Sequence, residues 1–410
     1  MVRRQYFSSC CHRLAILLAV LLDALLTVIF SSCEREPPLQ LVTRGKDIDI
    51  ETDKVILDLD VLWDYELTYD WQAEWCYGWD SHDDSLFGAW NIKEPELFNI
   101  RRYFTGDDPK APHTSVLKDL VDGTRFGAKY KYGYYDITVF NEVNTIDGVQ
   151  SLHFDEETSL EYITAYTNQS SAHTAAPQMT SQSTRFRSGY SFYQPEFLFA
   201  GGFDNLHVSN NPADYDYYIE ETGTWYKRVP LNLTPVTYIY LTQVVLHHQA
   251  RKVSGIDGSG NLSGMARSTN LYTHVSSEED ISVTYPMRMK KDVTYIDPVT
   301  QVSEEVDIIG GRVLTFGIPG TNPYGVSRAS SSYQQIEESQ ILNYLELNLI
   351  FPNGRDSTYL FDVTDQVKEH FKGGVITIHL DSIAVPGGGG DSMFDAIVED
   401  PTEETHEFEM

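Results

Sequence analysis

The stretch VTYIYLTQVVL, residues 236–246, places apolar side chains at both its odd and its even positions. A strand that is apolar on both faces cannot lie on a surface, so it is expected as a central strand covered on both sides. Around it the hydrophobic period is two. Residues 343–351 alternate Leu345, Leu347, Leu349 and Phe351 with Glu346 and Asn348, and Asn353-Gly354 then predicts a tight hairpin turn into 358–361. Ile281, Val283 and Tyr285 mark another strand, 312–318 a further one, and 375–385 the last of the core. Thr364 is placed to cap one short helix reaching Phe371, ended by Gly373-Gly374.

Upstream, Val55, Leu57, Leu59 and Val61 alternate with Asp58 and Asp60, and Tyr135, Ile137 and Val139 alternate with Asp136 and Thr138, as half-buried strands require. Ser115 as a cap predicts a short helix over 115–121. Many short strands spaced by turns, with hardly any sustained helical period, predict an all-β chain of two tandem β-sandwich domains. The expected division is an N-terminal sandwich at 54–166 with a Trp-rich insertion, a linker and irregular aromatic segment at 167–224, and a C-terminal sandwich at 225–386. A glycine hinge and acidic tail, 387–410, follow. The tail carries Met393, Phe394, Ile397 and Val398, which suit an added strand, on the parent body in preference to a partner.

The N-terminus has a different character. Arg3, Arg4 and Arg13 flank the apolar run 14–30, and Ser31-Ser32 precede Cys33. This reads as an export signal, residues 1–32, closed by a lipid-attachment cysteine, with Phe30 where leucine is usual. An uncleaved membrane helix fits less well. The run is shorter than the roughly 20 residues a span prefers, and a central Asp23 would cost about 2.5–3.5 kcal/mol. Acyl chains contribute about 0.8 kcal/mol per buried methylene, so two or three of them on Cys33 anchor stably. Residues 33–53, polar and holding Pro37-Pro38, form the tether.

The chain has 30 Lys+Arg against 60 Asp+Glu, a net charge of -30 that becomes -32 once three arginines and one aspartate leave with the signal. Such a surface repels phosphate backbones, so nucleic acid is excluded as a partner. After processing, Cys76 is the one thiol not acylated; it has no intramolecular disulfide partner and is expected buried and inert.

No HExxH, GxSxG, GxxxxGK[ST] or CxxC pattern occurs, and neither a catalytic residue, a metal site nor a cofactor is expected. Gly258, Gly260 and Gly264 have the wrong spacing for a dinucleotide loop and read as a turn between strands. His247 and His248, adjacent in a strand, are expected on opposite faces and so unable to share one ion. Trp71, Trp75 and Trp79, with Asp80, Asp83 and Asp84, could form an aromatic platform for a sugar. Their four-residue spacing equally suits one buried helical face, and aromatic stripes of this period mostly serve the core.

Seven segments carry a resemblance: SSCEREPP at 31–38, VILDLDVLWDYE at 55–66, QPEFLFAG at 194–201, GSGNLSGMARST at 258–269, DIIGGRVLTFGI at 307–318, DSTYLFDVTDQV at 356–367 and GGVITIHLD at 373–381. They resemble a family of Bacteroidales surface lipoproteins of unknown function, related to fimbrillin-type anchor and minor subunits. The resemblance implies transthyretin-like sandwiches on an outer-membrane lipid, exposed at the cell surface, with fimbrial subunits as partners through strand addition. Of functional positions it implies only Cys33. Two readings follow: a structural or adhesive lipoprotein of a fimbria-like assembly, or a glycan-capturing lipoprotein of a nutrient-uptake system that uses Trp71, Trp75 and Trp79.

The anchor is tested by the intact mass of the native protein, which should begin at an acylated Cys33, and by a Cys33→Ser variant, which should leave the envelope fraction. An uncut chain, or a variant still sedimenting with the envelope, contradicts this.

Overall fold

A computed structural model describes residues 55–63, 74–78, 95–143, 152–155, 160–174, 189–297, 300–323, 336, 339–386 and 397–398. Its strands, in chain order, are β1 (Val55–Trp63), β2 (Leu97–Gly106), β3 (Ser115–Asp122), β4 (Arg125–Tyr130), β5 (Gly133–Asn141), β6 (Leu152–Asp155) and β7 (Thr164–Thr167). There follow β8 (Gln169–Thr174), β9 (Gly189–Tyr193), β10 (Phe199–Val208), β11 (Tyr217–Ile219), β12 (Thr224–Pro235), β13 (Tyr238–Leu246) and β14 (Gly255–Ala266). The last are β15 (Ser268–Asn270), β16 (Asp280–Ile296), β17 (Ser303–Thr315), β18 (Tyr344–Ile350), β19 (Asp356–Asp362), β20 (Gly374–Leu380) and β21 (Ile397–Val398), with a helix α1 (Thr364–Glu369) between β19 and β20. The chain is all-β, as its alternation demands, and its sheets curl into sandwich-like bodies. Among the described residues no helix is long and apolar enough to cross a membrane.

In the first body, β4-β1-β12-β11 faces β3-β2-β5-β10, and the two sheets meet where Phe199 and Ala200 of β10 pair with Pro235 and Thr234 of β12. Inward residues of both, among them Leu57, Ile100, Ile137, Val229 and Leu231, make the core. Residues 115–121 are not the expected helix. Ser115–Asp122 is a strand in register with β2, because eight cross-strand pairs outweigh a weak local helix signal.

β13 is the centre of the second body, flanked by β17 antiparallel and β20 parallel. Every residue of it is buried. Tyr238, Tyr240, Val244 and Leu246 face the core shared with β14, β16 and β18, while Ile239, Leu241 and Val245 belong to an apolar cluster on the other side. β16 bends from one sheet to the other, pairing with β14 through Ser259↔Pro286 to Ala266↔Asp280 and with β17 through Met287↔Gly311 onward. β18 and β19 form the expected hairpin around Asn353-Gly354, and β20 is the expected last core strand.

Four further expectations change. Gly258 to Gly264 is not a turn but part of β14, whose pairing shifts register twice, and Gly264 at φ +72° leaves room for Leu342 O, which a Cβ would approach at 2.4 Å. Thr364 lies inside α1; its backbone N–H donates to Asp362 Oδ1 (3.0 Å), and its hydroxyl accepts from the N–H of Asn343 (2.9 Å). Within 167–224, where a linker was expected, β8 and β9 add to the second body through Ser191↔Ser282, and β10 and β11 belong to the first. Trp225–Leu233, expected to open the second domain, pairs with β1.

The two bodies share apolar contacts. Tyr103, Phe140 and Leu198 of the first and Ala266, Leu271 and Phe316 of the second form one buried cluster with Leu160, Ile163 and Ala165 around the small β15-β7-β6 sheet. Removing a buried phenylalanine side chain costs about 3–5 kcal/mol. Phe316→Ala should therefore lower the melting temperature and split one cooperative calorimetric transition into two. A single transition at the original temperature would show that the cluster does not couple the bodies.

A tryptophan clip beside a histidine–carboxylate cluster

A strand without a polar face needs cover on its outer side, and residues 74–78 provide it. Trp75, only 4% exposed, and Tyr77 lie against Ile239, Leu241, Ile308 and Val375, their rings 5.5 Å apart. Gln243, wholly buried in the middle of β13, holds this clip by its amide. Its Oε1 accepts from the backbone N–H of Cys76 (2.9 Å) and of Tyr77 (3.1 Å), and its Nε2 donates to Glu74 O (2.7 Å) and Thr377 Oγ1 (2.9 Å). All four bonding positions of the amide are used, which makes its burial tolerable. The Trp75 indole N–H donates to Gly78 O, and Lys290 Nζ donates to Tyr77 O while lying 4.0 Å from the Tyr77 ring centroid.

Gly310 makes the close approach possible. A Cβ there would meet Tyr77 Cδ2 at 2.6 Å and Trp75 Cη2 at 3.1 Å. Trp75 is thus a core residue of this face and offers no open ring to a ligand. Trp71 and Trp79, with Asp80, Asp83 and Asp84, lie outside the described residues, as does Cys33. Cys76 is half-buried, with its Sγ 3.4 Å from Glu74 O. Burial pushes its thiol pKa up, more than the hydrogen bond with Gln243 pulls it down, so it is held as a thiol and is a poor nucleophile.

At the other end of the same face the two adjacent histidines converge, contrary to expectation. β13 ends at Leu246, and His248 takes φ +36°, so the opposite-faces rule of a strand no longer applies. His247 Nδ1 is 2.7 Å from Glu304 Oε1 and its Nε2 is 2.9 Å from His379 Nδ1. His248 reaches Glu304 Oε2 at 3.7 Å and Asp381 Oδ1 at 3.3 Å, and the Tyr295 ring stands edge-on to His247. Each neutral imidazole has one N–H, so a donor His247 Nδ1 towards Glu304 leaves Nε2 to accept from His379 Nδ1–H. Among the described residues no group of three or more His, Cys, Asp or Glu is arranged to hold a metal ion. The signals for the clip were present in the sequence: a lone Gln in an apolar strand, and Gly310-Gly311 inside another.

No protein-family model matches the chain, and no curated protein matches it. Solved structures do. A candidate adhesin of Bacteroides ovatus is 15% identical, with 84% of this chain and 100% of that one covered at a TM-score of 0.47. A candidate polysaccharide-binding protein of Bacteroides thetaiotaomicron is 10% identical, over 80% and 91% of the chains, at 0.38. The fimbrial anchor protein Mfa2 of Porphyromonas gingivalis is 10% identical, over 79% and 90%, at 0.35. At these TM-scores and identities the likeness fixes neither ligand nor partner for this chain.

Gln243→Leu would leave the N–H groups of Cys76 and Tyr77 unpaired under the clip. Each buried unsatisfied group costs about 1–3 kcal/mol, so local opening should rise tenfold or more. The rate of Cys76 modification by a thiol reagent reads this directly. An unchanged rate would show that packing of Trp75 and Tyr77 holds the clip unaided.

Proposed function

We propose that the mature chain is a non-enzymatic lipoprotein of the cell surface, anchored in the outer membrane through acyl chains on Cys33, and a structural, anchoring or adhesive part of a fimbria-like assembly. The observation that carries this reading is at the end of the chain. Beyond the glycine run, Ile397 and Val398 pair in parallel with Leu360 and Phe361 on the outer edge of β19. A sheet edge that accepts a strand from a distant segment presents the same hydrogen-bonding row to a strand from a partner.

The β20 edge, by contrast, is closed. On β20, Gln366 of α1 donates to Thr377 O (3.0 Å) and accepts from Thr377 N (2.8 Å), so a side-chain amide occupies the place of a neighbouring strand. The adhesin and fimbrial-anchor names of the structural neighbours agree with the reading. Glycan capture by Trp71, Trp75 and Trp79 has less support, because the Trp75 ring is packed into the core.

Full-length chain and a chain ending at Pro386 should be recovered from the native surface and their co-purifying proteins identified. Filament subunits are expected with the first and strongly depleted with the second. Recovery of no filament subunit with the full-length chain would refute the proposal.

A further inference from the structure

The first described strand and the last core strand of the second body are both held by parallel pairing. β1 runs beside β12 from Val55↔Trp225 to Trp63↔Leu233, nine residues in continuous register. β12 leads through Val236 and Thr237 directly into β13. β13 in turn runs beside β20 in parallel, from Tyr240↔Gly374 to Leu246↔Leu380. Beyond Leu380 the chain passes through 381–386 to the tail strand β21.

The direction of a pull decides how such pairs fail. A hairpin drawn apart by its two open ends gives way one pair at a time. β1 and β12 are drawn from opposite ends, because the upstream chain pulls on Val55 while β13 pulls on Pro235. Each strand is then loaded along its own axis, and the whole ladder resists at once. The same holds for β13, drawn at Tyr238 by the first body, and β20, drawn at Leu380 by 381–386. Forced unfolding follows the unfolding rate, and a barrier that needs many bonds to break together is crossed slowly.

Side chains tie both pairs against sliding. Asp58, buried in the middle of β1, accepts through Oδ2 from the Tyr226 hydroxyl of β12 and from Arg125 Nη2 of β4, so β1 is joined to the strands on both its sides. In the second pair Gln243 Nε2 donates to the hydroxyl of its register partner Thr377 (2.9 Å). The His247 backbone N–H donates to Leu380 O (2.8 Å), and His247 Nε2 lies 2.9 Å from His379 Nδ1. The tail is held more lightly. β21 pairs only Ile397 and Val398 with β19, and 384–386 is fastened by the Tyr359 hydroxyl on Ala384 O and by Asn353 Nδ2 on Pro386 O (2.9 Å).

We infer that the two parallel pairs are mechanical clamps in series and that the body has a load-bearing function: tension between its N-terminal end and its tail puts β1 against β12, and β13 against β20, in shear. The tail comes away first, and the clamps then hold both sandwiches closed. That such tension arises on the cell rests on the proposed anchoring at Cys33 and partner contact at the tail, whereas the resistance itself depends only on strand direction.

The test is optical-tweezers unfolding of the unacylated chain 33–410 on a Cys76→Ser background, with one handle on Cys33 and the other on a cysteine added after Met410. Two further attachments pull the same strands from one shared end. With handles on Cys33 and Glu221→Cys, beside Trp225, β1 is peeled from β12; with handles on Gln249→Cys and after Met410, and Cys33→Ser, β20 is peeled from β13 at the Leu246↔Leu380 end. Glu221 and Gln249 are exposed, and exposed Thr222 replaces Glu221 should that variant fail to fold. After an early low-force release of the tail, rupture by end-to-end pulling should need severalfold more force than either peeled geometry. No lipid or filament subunit enters the measurement, so its outcome is separate from that of the fimbrial reading. Rupture in either peeled geometry at a force equal to or above the end-to-end value overturns the inference.

Discussion

The constraint on which the second body depends is the double burial of β13. A strand with Ile239, Leu241 and Val245 on one face and Tyr240, Val244 and Leu246 on the other is stable only if both faces are taken out of water. The inner face has the sandwich core. Among the described residues the outer face has no sheet of its own, and a segment from nearly 170 residues upstream covers it, held by a buried amide and by Lys290. The same demand accounts for Gly310, since the covering rings come so close to the backbone that no side chain fits beneath them.

The bodies are further tied by chain exchange. β12 leaves the first body and leads directly into β13 of the second, while β8 and β9 come from between elements of the first body and add to the second. The shared apolar cluster around Phe140 and Phe316 fills the space between them. Pulling on either end therefore works against interlocked sheets instead of one linker. Two sheet edges are covered: Gln366 closes β20, and the tail lies on β19.

Much of the fold was legible in the sequence. Period-two alternation located β1, β5 and β18, an unbroken apolar run located β13, and Asn353-Gly354 located the turn between β18 and β19, because these signals are local and steric. Where the local signal was weak it misled: Ser115 with a short apolar run reads as a helix start, and only pairing with β2 makes it a strand. The Ser/Thr-rich segment read as a linker for want of large apolar residues, yet Ser170 and Ser191 are buried and bonded to each other at 2.8 Å. At the candidate site, Trp75 was visible as an aromatic in a cluster, whereas its place over β13 was not, because Gln243, which holds the clip, lies 167 residues from Cys76.

The sequence by itself determined that the chain is all-β, where several of its strands lie, and that β13 must be central, since each follows from the side-chain pattern along a few residues. Tertiary structure alone decided what covers β13, which strands meet across more than a hundred residues, and that His247 and His248 face one carboxylate. The reason is physical. Alternation specifies that a face must be buried but not what buries it, and the partner is chosen by whichever distant surface brings matching shape and satisfied hydrogen bonds.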